Sequence, residues 1–300
     1  MLPMLSARLL LCLVLLLAPP AWAGSVTLLL SDSTGPYAEF SSNFSEALNS
    51  RRWTIHLVPK ADAYTPGAPP TDLIVTAGSE ALRQALQRAP PGTPILATLL
   101  PRQAFERLVG ESARPGRRLT GVVLDQPPAR LTAFIRYLLP GQTRIGLLTS
   151  PETRTFLSAL RQSSGNLQFD SEDVDNDTAL LPALNGLLPR VGALLALPDA
   201  AIYRRDNLKS ILITTYRQQR PVIAYSSAFV TAGALAALYS TPTQIARQAA
   251  ELIEQPGTLP VIVYPTQFAI AINANVAQAL GLNVPDEASL RRSMLGEGGR

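Results

Sequence analysis

Polar side chains suited to binding a small ligand follow the predicted strands of this chain, at the points where those strands end. The segment Ser-Asp-Ser-Thr-Gly-Pro-Tyr at 31–37 comes directly after the apolar run Val26–Leu30. A plain connector does not need so many polar groups at the end of a buried strand. Hydroxyls, a carboxylate and the free N–H groups of a following helix can hold a polar solute or an anion. We therefore interpret this loop as one wall of a ligand-binding cleft.

Similar polar loops follow five further predicted strands, at 76–79, 98, 149–153, 198–199 and 225–227. For any single loop, the alternative is that Ser, Thr or Asp simply caps the next helix. Because the pattern recurs in both halves of the chain, the set as a whole favours ligand binding. The predicted ligand-binding residues are Ser31, Asp32, Ser33, Thr34, Tyr37, Gly78, Ser79, Thr98, Thr149, Ser150, Thr153, Asp199, Tyr225, Ser226 and Phe229.

Three of these residues suggest specific contacts. Asp199 follows a buried strand, so its carboxylate is predicted to pair with a ligand ammonium group; the alternative is an N-cap for the next helix. Tyr37 is predicted to stack on an aromatic or apolar ligand, unless it is a partly buried helix residue. Phe229 lies at the rim of the predicted second wall, with a place in the core as its alternative.

The sequence offers little for catalysis, and we predict no catalytic residue, metal site or cofactor. The one histidine, His56, lies inside a strand-like run far from any strand end. Neither Gly-x-Ser-x-Gly nor Gly-x-Gly-x-x-Gly occurs, so no serine nucleophile elbow or dinucleotide loop is predicted. The acidic residues between 170 and 177 do not follow the order of a calcium loop and are predicted to be solvated.

Length and composition indicate about two domains with substantial cores. The chain has 300 residues, of which 47% are hydrophobic and 16% charged, with a formal net charge of +4. Its basic residues are scattered in short pairs, so no nucleic-acid-binding face is predicted. We expect a monomer.

The amino-terminal segment has the pattern of a cleavable signal peptide. A basic start at Met1–Arg8 precedes the apolar run Leu9–Leu17, and Ala21-Trp22-Ala23 fits the small-x-small cleavage rule. The only cysteine, Cys12, lies within the apolar run and is not predicted to be a lipid anchor. We therefore predict removal of residues 1–23 and export to a bacterial periplasm.

Short apolar runs alternate with helical patterns along the rest of the chain, in two successive rounds. Among these segments, Trp53–Val58 and Arg144–Thr149 are predicted to be strands and Ser79–Arg88 a helix. This alternation predicts an α/β fold with two Rossmann-like lobes, each a doubly wound parallel sheet covered by helices on both faces. Ligand loops of such sheets lie at the carboxyl ends of the strands. The last apolar runs, Val261–Tyr264 and Phe268–Ile272, are predicted to form a pair of strands.

Four stretches of the chain form a pattern that is typical of one protein family. They are Leu-Thr-Gly-Val at 119–122 with the following helix and Arg144–Leu148, Ala-Leu-Leu-Ala-Leu-Pro-Asp at 193–199, the segment 221–236, and Tyr-Pro-Thr-Gln-Phe within 264–285. These stretches resemble the substrate-binding proteins of ABC transporters with the type I periplasmic-binding fold, in the group that includes tryptophan- and tyrosine-type binders. The resemblance covers most of the chain and is strongest from Leu119 onward.

The resemblance implies a two-lobed clamp that closes about a hinge crossed three times by the chain. It places residues 24–124 plus 241–257 in the first lobe and 125–240 plus 258–290 in the second, followed by a flexible tail at 291–300. It further implies capture of a small molecule, preferably an aromatic or apolar amino acid, for delivery to an ABC permease. The segments 98–102 and 239–247 depart from the family pattern. The alternative is therefore a periplasmic sensor or accessory protein that docks on a sensor kinase or outer-membrane receptor.

Overall fold

The computed structural model of the chain describes residues 24–112, 116–151, 153–255 and 257–297. The predicted signal peptide lies outside these residues. The strands form two six-stranded sheets with the orders β2-β1-β3-β4-β5-β11 and β7-β6-β8-β9-β10-β12. The strands are β1 Gly24–Leu30, β2 Trp53–Val58, β3 Leu73–Ala77, β4 Ile95–Leu100, β5 Leu119–Val123, β6 Arg144–Thr149, β7 Gln168–Asp173, β8 Ala193–Leu195, β9 Val222–Ala224, β10 Ala236–Tyr239, β11 Ile262–Val263 and β12 Ala269–Ile272.

Helices connect the strands and cover the sheets. None of them, within the residues that the structure describes, is long and apolar enough to cross a membrane. The helices are α1 Pro36–Ala47, α2 Ser79–Arg88, α3 Arg102–Glu111, α4 Pro128–Leu138, α5 Arg154–Gln162, α6 Leu180–Leu187, α7 Arg205–Arg217, α8 Ser227–Ala232, α9 Pro242–Glu254, α10 Ala274–Ala279 and α11 Glu287–Glu297.

Both sheets are doubly wound, which confirms the predicted fold class. All neighbouring strands pair in parallel except β10 and β12, which are antiparallel. The central strands are buried on both faces; β1, for example, buries every residue from Val26 to Leu30. This explains why these strands appear in the sequence as continuous apolar runs rather than as an alternating pattern. A separate hydrophobic cluster covers each face of each sheet.

The strand order reverses once in each sheet, between β1 and β3 in the first sheet and between β6 and β8 in the second. At such a switch point, the crossover connections of the two neighbouring strands leave toward opposite faces of the sheet. A crevice therefore opens at the carboxyl ends of the strands, and ligands of open α/β sheets bind there. The fold consequently provides two such crevices, one in each lobe.

The chain crosses between the lobes three times, but the predicted lobe boundaries were wrong at the third crossing. Strand β11 pairs with β5 in the first sheet, so Ile262 and Val263 belong to the first lobe rather than to the second. Helix α9 packs on α1 in the same lobe. The third crossing therefore lies between Tyr264 and Phe268, which are packed in different cores. The two last strands lie in different sheets and do not pair with each other.

The predicted flexible tail was also wrong over residues 291–297, which form most of α11. Leu290 and Met294 of this helix are buried in the core of the second lobe. The Asp286 carboxylate accepts hydrogen bonds from the Ser289 N–H and hydroxyl groups just before the helix. Leu290 and Met294 form a single i, i+4 apolar pair within an otherwise polar segment, and one such pair is too weak a periodic signal to predict a helix from the sequence. Residues 298–300 of the predicted tail lie outside the described part of the chain.

Candidate functional site

The predicted site residues of the first lobe meet at its switch point, where β1 and β3 end. The Ser31 hydroxyl oxygen accepts a hydrogen bond from the Ala81 N–H group at 2.9 Å, which ties the loop after β1 to the first turn of α2. Gly78 lies between these elements with a φ of +92°. A Cβ atom on it would lie 2.5 Å from Ser31 Oγ and 2.7 Å from Tyr37 Cε1. Glycine is therefore required there both by its conformation and by the close approach of two predicted site residues.

Asp32, Ser33 and Thr34 form the exposed rim of this wall. The Asp32 carboxylate accepts hydrogen bonds from the Thr34 hydroxyl group at 2.8 Å and from the Thr34 N–H group at 2.9 Å. Both hydrogen bonds lower the pKa of Asp32 below its ordinary value, and the bond from the hydroxyl group has the larger effect. The polar groups in this part of the opening segment therefore shape a turn, which Gly35 and Pro36 continue into α1.

Thr98 lies under this wall rather than on it. Its side chain is fully buried, and its hydroxyl group donates a hydrogen bond to the Thr76 carbonyl oxygen at 2.8 Å. The Thr98 carbonyl oxygen accepts the N–H group of Gly78. Thr98 thus fixes the ends of β3 and β4. The next residue, Leu99, has a φ of +53° beside a register shift in β4, a backbone irregularity that the sequence pattern did not reveal.

The second switch point brings together Thr149, Ser150, Thr153 and Asp199. The Thr153 hydroxyl oxygen accepts a hydrogen bond from the Ser150 N–H group at 2.8 Å and lies 3.3 Å from Asp199 Oδ2. The Thr149 hydroxyl group donates to Asp173 Oδ1 at 2.7 Å, and this bond is the main cause that lowers the pKa of Asp173. Thr149, Ser150 and Thr153 are all buried. Their polar atoms therefore hold the loop together.

Asp199 has a structural role, but it is not the N-cap that the sequence left open as an alternative, because α7 begins at Arg205 with Arg204 as its N-cap. Its side chain is only 1% exposed, and Oδ1 accepts hydrogen bonds from the N–H groups of Ala201 and Ile202. The N–H group of Tyr203 binds the Asp199 carbonyl oxygen. The carboxylate thus organises the turn between β8 and α7.

An aromatic cluster lies beside this turn. Tyr203, Tyr225 and Phe229 contact one another edge-to-face, with ring centroids 5.7–6.2 Å apart. Burial, together with the neighbouring Asp199, raises the pKa of Tyr225. Phe229 is buried, as its core alternative required, whereas Tyr225 is partly exposed. The Ser226 hydroxyl oxygen accepts the Phe229 N–H group and caps α8. Of these residues, Tyr225 therefore remains available to a ligand.

A mainly apolar cavity lies at the base of the cleft, where the first crossing meets the second lobe. It contains one predicted residue, Tyr225. The others were missed, because nothing in their local sequence marks them as facing a cleft. Its lining includes Leu124, Asp125, Gln126, Leu131, Phe156, Ala196, Leu197, Pro198, Ala224, Tyr225 and Leu238.

Polar side chains join the three crossings of the hinge. The Gln126 amide group donates a hydrogen bond to Ser240 Oγ at 2.9 Å, and the Ser240 hydroxyl group donates to the Gln267 carbonyl oxygen at 2.7 Å. The Arg130 guanidinium group donates to Gln126 Oε1 and to the Pro265 carbonyl oxygen. Each crossing is therefore connected to the other two at the point where the lobes meet.

Asp125 is the ionisable group buried in this hinge, and its side chain is 5% exposed. Its Oδ2 atom accepts the Arg102 N–H group at 2.6 Å, at the start of α3. Burial raises the pKa of Asp125 to about 6, although this N–H group acts in the opposite direction. The Arg102 guanidinium group in turn donates to the Tyr264 hydroxyl oxygen at the third crossing.

Among the residues with described positions, no group of three or more His, Cys, Asp or Glu side chains could hold a metal ion. The site instead consists of hydroxyl groups, helix starts and aromatic rings. This set can bind a small solute through hydrogen bonds and apolar contacts.

Comparison with known proteins places this geometry in a family context. The family model described as "ABC transporter substrate binding protein" matches residues 68–293. No curated protein sequence matches the chain.

Three solved structures share the fold at low sequence identity. The ABC domain from Streptococcus pneumonia in complex with L-Trp is 17% identical, covers 91% of this chain and 98% of its own, and superposes with a TM-score of 0.61. The ligand-free, open form of a substrate-binding protein with adhesive properties from Clostridium difficile is 14% identical, covers 88% and 97%, and has a TM-score of 0.67. A conserved domain protein from Vibrio cholerae is 16% identical, covers 90% and 98%, and has a TM-score of 0.59.

Proposed function

Because this chain belongs to the family of ABC transporter substrate-binding proteins, we propose that it captures a small solute between its lobes and delivers it to an ABC permease. The observation that carries the proposal is the cavity at the hinge. Its lining combines the first crossing, at Leu124–Gln126, with Phe156 and Tyr225 of the second lobe. A ligand held there and by the first-lobe wall would touch both lobes, which is the condition for favouring closure.

The favoured ligand is an amino acid with an aromatic or apolar side chain. The cavity has a volume of only about 20 Å³, so such a side chain would reach its apolar lining, with Phe156 and Tyr225, when the lobes move apart. The start of α2, with the partly exposed Ser79 and the neighbouring Ser31 hydroxyl, suits its carboxylate. We assign to Asp199 the positioning of the 199–203 turn, because its carboxylate is buried and already hydrogen-bonded.

The protein would act without catalysis, as a monomer in the periplasm, after export through the predicted signal peptide. Its proposed partners are the solute and an ABC permease. The alternative, a sensor or accessory protein of the same fold, would require a protein partner in place of a transported solute.

The test is the thermal unfolding midpoint of the protein with L-tryptophan, L-tyrosine, L-leucine and, as a different solute class, D-ribose. A ligand that binds only the folded state adds about 2.7 kcal/mol of stability at 100 times its Kd, so binding raises the midpoint. We expect a shift with at least one of the amino acids and none with ribose. A shift with ribose alone would contradict the amino-acid assignment, and no shift with any compound would favour the sensor alternative.

A pair of tyrosine variants tests the position of the ligand. Tyr225→Ala removes a ring from the hinge cavity and should weaken amino-acid binding at least about tenfold, as expected for the loss of an aromatic contact. Tyr216→Ala removes a tyrosine of α7 that is 52% exposed and should leave binding unchanged. Equal affinities for the two variants would place the ligand elsewhere.

A further inference from the structure

A second concave surface lies on the first lobe, at the edge of the sheet opposite the cleft. The residues at the start of β2, β3, β4 and β5 line it, together with the end of α9 and the segment that leads to β11. The groove has a volume of about 480 Å³ and is open to solvent. This volume is sufficient for a small molecule, since ligand pockets typically enclose roughly 300–1,000 Å³. We call it the amino-edge groove and define it by Trp53, Leu73, Leu119, Leu252, Ile253, Leu259, Val261 and Arg118.

The walls of the amino-edge groove are mainly apolar. Trp53 is only partly buried, although its six-membered ring lies so close to its neighbour in the sheet, Gly24, that a Cβ atom on Gly24 would lie 2.3 Å from Cζ3 of the ring. Val261 is 59% exposed, and Leu252 and Ile253 are partly exposed. The indole Nε1–H of Trp53 is buried and has no hydrogen-bond partner within the described part of the chain, so the ring presents only apolar atoms to the groove. Such an apolar wall is suited to the hydrocarbon part of an amphipathic molecule.

The charge available in this groove is positive. The Arg117 guanidinium group is engaged, because it donates hydrogen bonds to the carbonyl oxygens of Leu86 and Ala89 at the end of α2. The carboxylate of Asp72 is also engaged, since it accepts the N–H group of Ser25 at 2.8 Å. Arg118 is exposed and makes no side-chain hydrogen bond or ion pair to any residue with a described position. A guanidinium group above an apolar wall can pair with a carboxylate while the rest of the ligand lies on that wall.

We propose that the amino-edge groove binds a small organic anion with an apolar body, such as an aliphatic or aromatic carboxylate, at a site separate from the inter-lobe cleft. The apolar body lies against Trp53 and Val261, and the carboxylate pairs with Arg118. The site belongs to the first lobe alone, so its occupancy does not require closure of the clamp.

Trp53 provides a direct probe of this groove. The sequence contains two tryptophans, Trp22 and Trp53. In the full chain carrying Trp22→Phe, all tryptophan fluorescence therefore comes from the groove. We expect octanoate to produce a saturable change in the Trp53 emission. 1-Octanol has a chain of the same length but no charge. It should bind at least about tenfold more weakly, because it cannot form the charge-assisted hydrogen bond.

Charge reversal provides the matched variants, both in the Trp22→Phe background. Arg118→Glu should weaken octanoate binding at least about tenfold and leave 1-octanol binding unchanged, because only the carboxylate contact is lost. Arg217→Glu reverses an exposed arginine of α7 in the other lobe and should change neither. A second groove variant, Val261→Asp, places a carboxylate on the apolar wall and should also weaken octanoate binding.

Three results would overturn the proposal. The first is the absence of a saturable change in Trp53 emission with octanoate. The second is equal affinity of octanoate for the Arg118→Glu and Arg217→Glu proteins. The third is loss of octanoate binding in Tyr225→Ala, which would place the anion in the cleft. Tyr225 lies outside the groove, so the two proposals are tested independently. If the protein binds no amino acid in the cleft, octanoate binding in the groove can still be measured. If octanoate does not bind in the groove, the proposed binding of an amino acid in the cleft is not affected.

Discussion

Asp125 should make the stability of this protein fall as the pH rises from 4 to 7. Its carboxyl group is buried at the first hinge crossing, and burial raises its pKa from 3.8 to about 6. Between these two values the folded state holds the proton more tightly than the unfolded state does. The free energy of unfolding therefore falls as the pH rises through this window, and the penalty is complete above about pH 6. The difference between the two pKa values corresponds to about 3 kcal/mol, at about 1.36 kcal/mol per pH unit.

Asp125→Asn isolates this contribution. Asparagine has nearly the same shape, its Oδ1 atom can accept the Arg102 N–H group, and it stays neutral throughout the range. Urea unfolding of both proteins at pH 4, 5, 6 and 7 measures the difference in the free energy of unfolding. We expect the wild type to lose about 2.4 kcal/mol relative to the variant between pH 4 and pH 7, because about 0.5 kcal/mol of the full difference is already lost at pH 4.

Asp32→Asn is the matched control, because Asp32 is an exposed carboxylate whose pKa is lowered rather than raised. Its favourable contribution is present above its ordinary pKa and is lost as the pH falls, so it cannot reproduce the effect of Asp125. The reasoning would be refuted if the difference between wild type and Asp125→Asn stayed constant from pH 4 to pH 7. It would also be refuted if the wild type gained stability relative to the variant as the pH rose.

Three further substitutions can be tested by urea unfolding at one pH. Gly78→Ala would place a Cβ atom 2.5 Å from Ser31 Oγ on a backbone with a φ of +92°, and it should lower the free energy of unfolding by about 2–4 kcal/mol. Gly92→Ala is its control, because Gly92 has a φ of +82° but nothing lies within 4 Å of its Cβ, and it should cost only about 1 kcal/mol. Equal losses would show that crowding plays no part. Thr241→Ala removes the capping box of α9 and should cost about 1 kcal/mol; an unchanged midpoint would contradict this. Gly121→Ala would place a Cβ atom 2.7 Å from the Phe105 ring and should lower the free energy of unfolding by about 1–3 kcal/mol. Adding Phe105→Leu should restore part of this stability, and no restoration would argue against the clash.

Local sequence patterns were sufficient for much of the secondary structure. The predicted segments Trp53–Val58, Ser79–Arg88 and Arg144–Thr149 have the same bounds in the structure. Each is a run of one periodicity that ends at proline, glycine or a change of polarity, and these are local signals. The alternation of such runs also determined the fold class, because parallel strands need helical crossovers between them.

The positions of the site loops followed from the same alternation, but the orientation of their side chains did not. Thr98 and Asp199 both follow a strand, as predicted, yet both turn into the interior and bind backbone groups. Gln126 and Phe156, which line the hinge cavity, have no local feature that marks them. Whether a polar side chain faces a ligand or the backbone depends on the neighbouring loop, and that loop lies far away in the sequence.

The sequence by itself determined that the chain forms two α/β lobes with polar loops at the strand ends, since hydrophobic periodicity and turn residues act over short distances. Only the tertiary structure decided which distant segments meet. It joined β11 to β5 across more than 100 residues of chain, buried Asp125 between the crossings and opened the amino-edge groove beside Trp53. Such contacts depend on complementary surfaces brought together by the whole fold, so no local pattern records them.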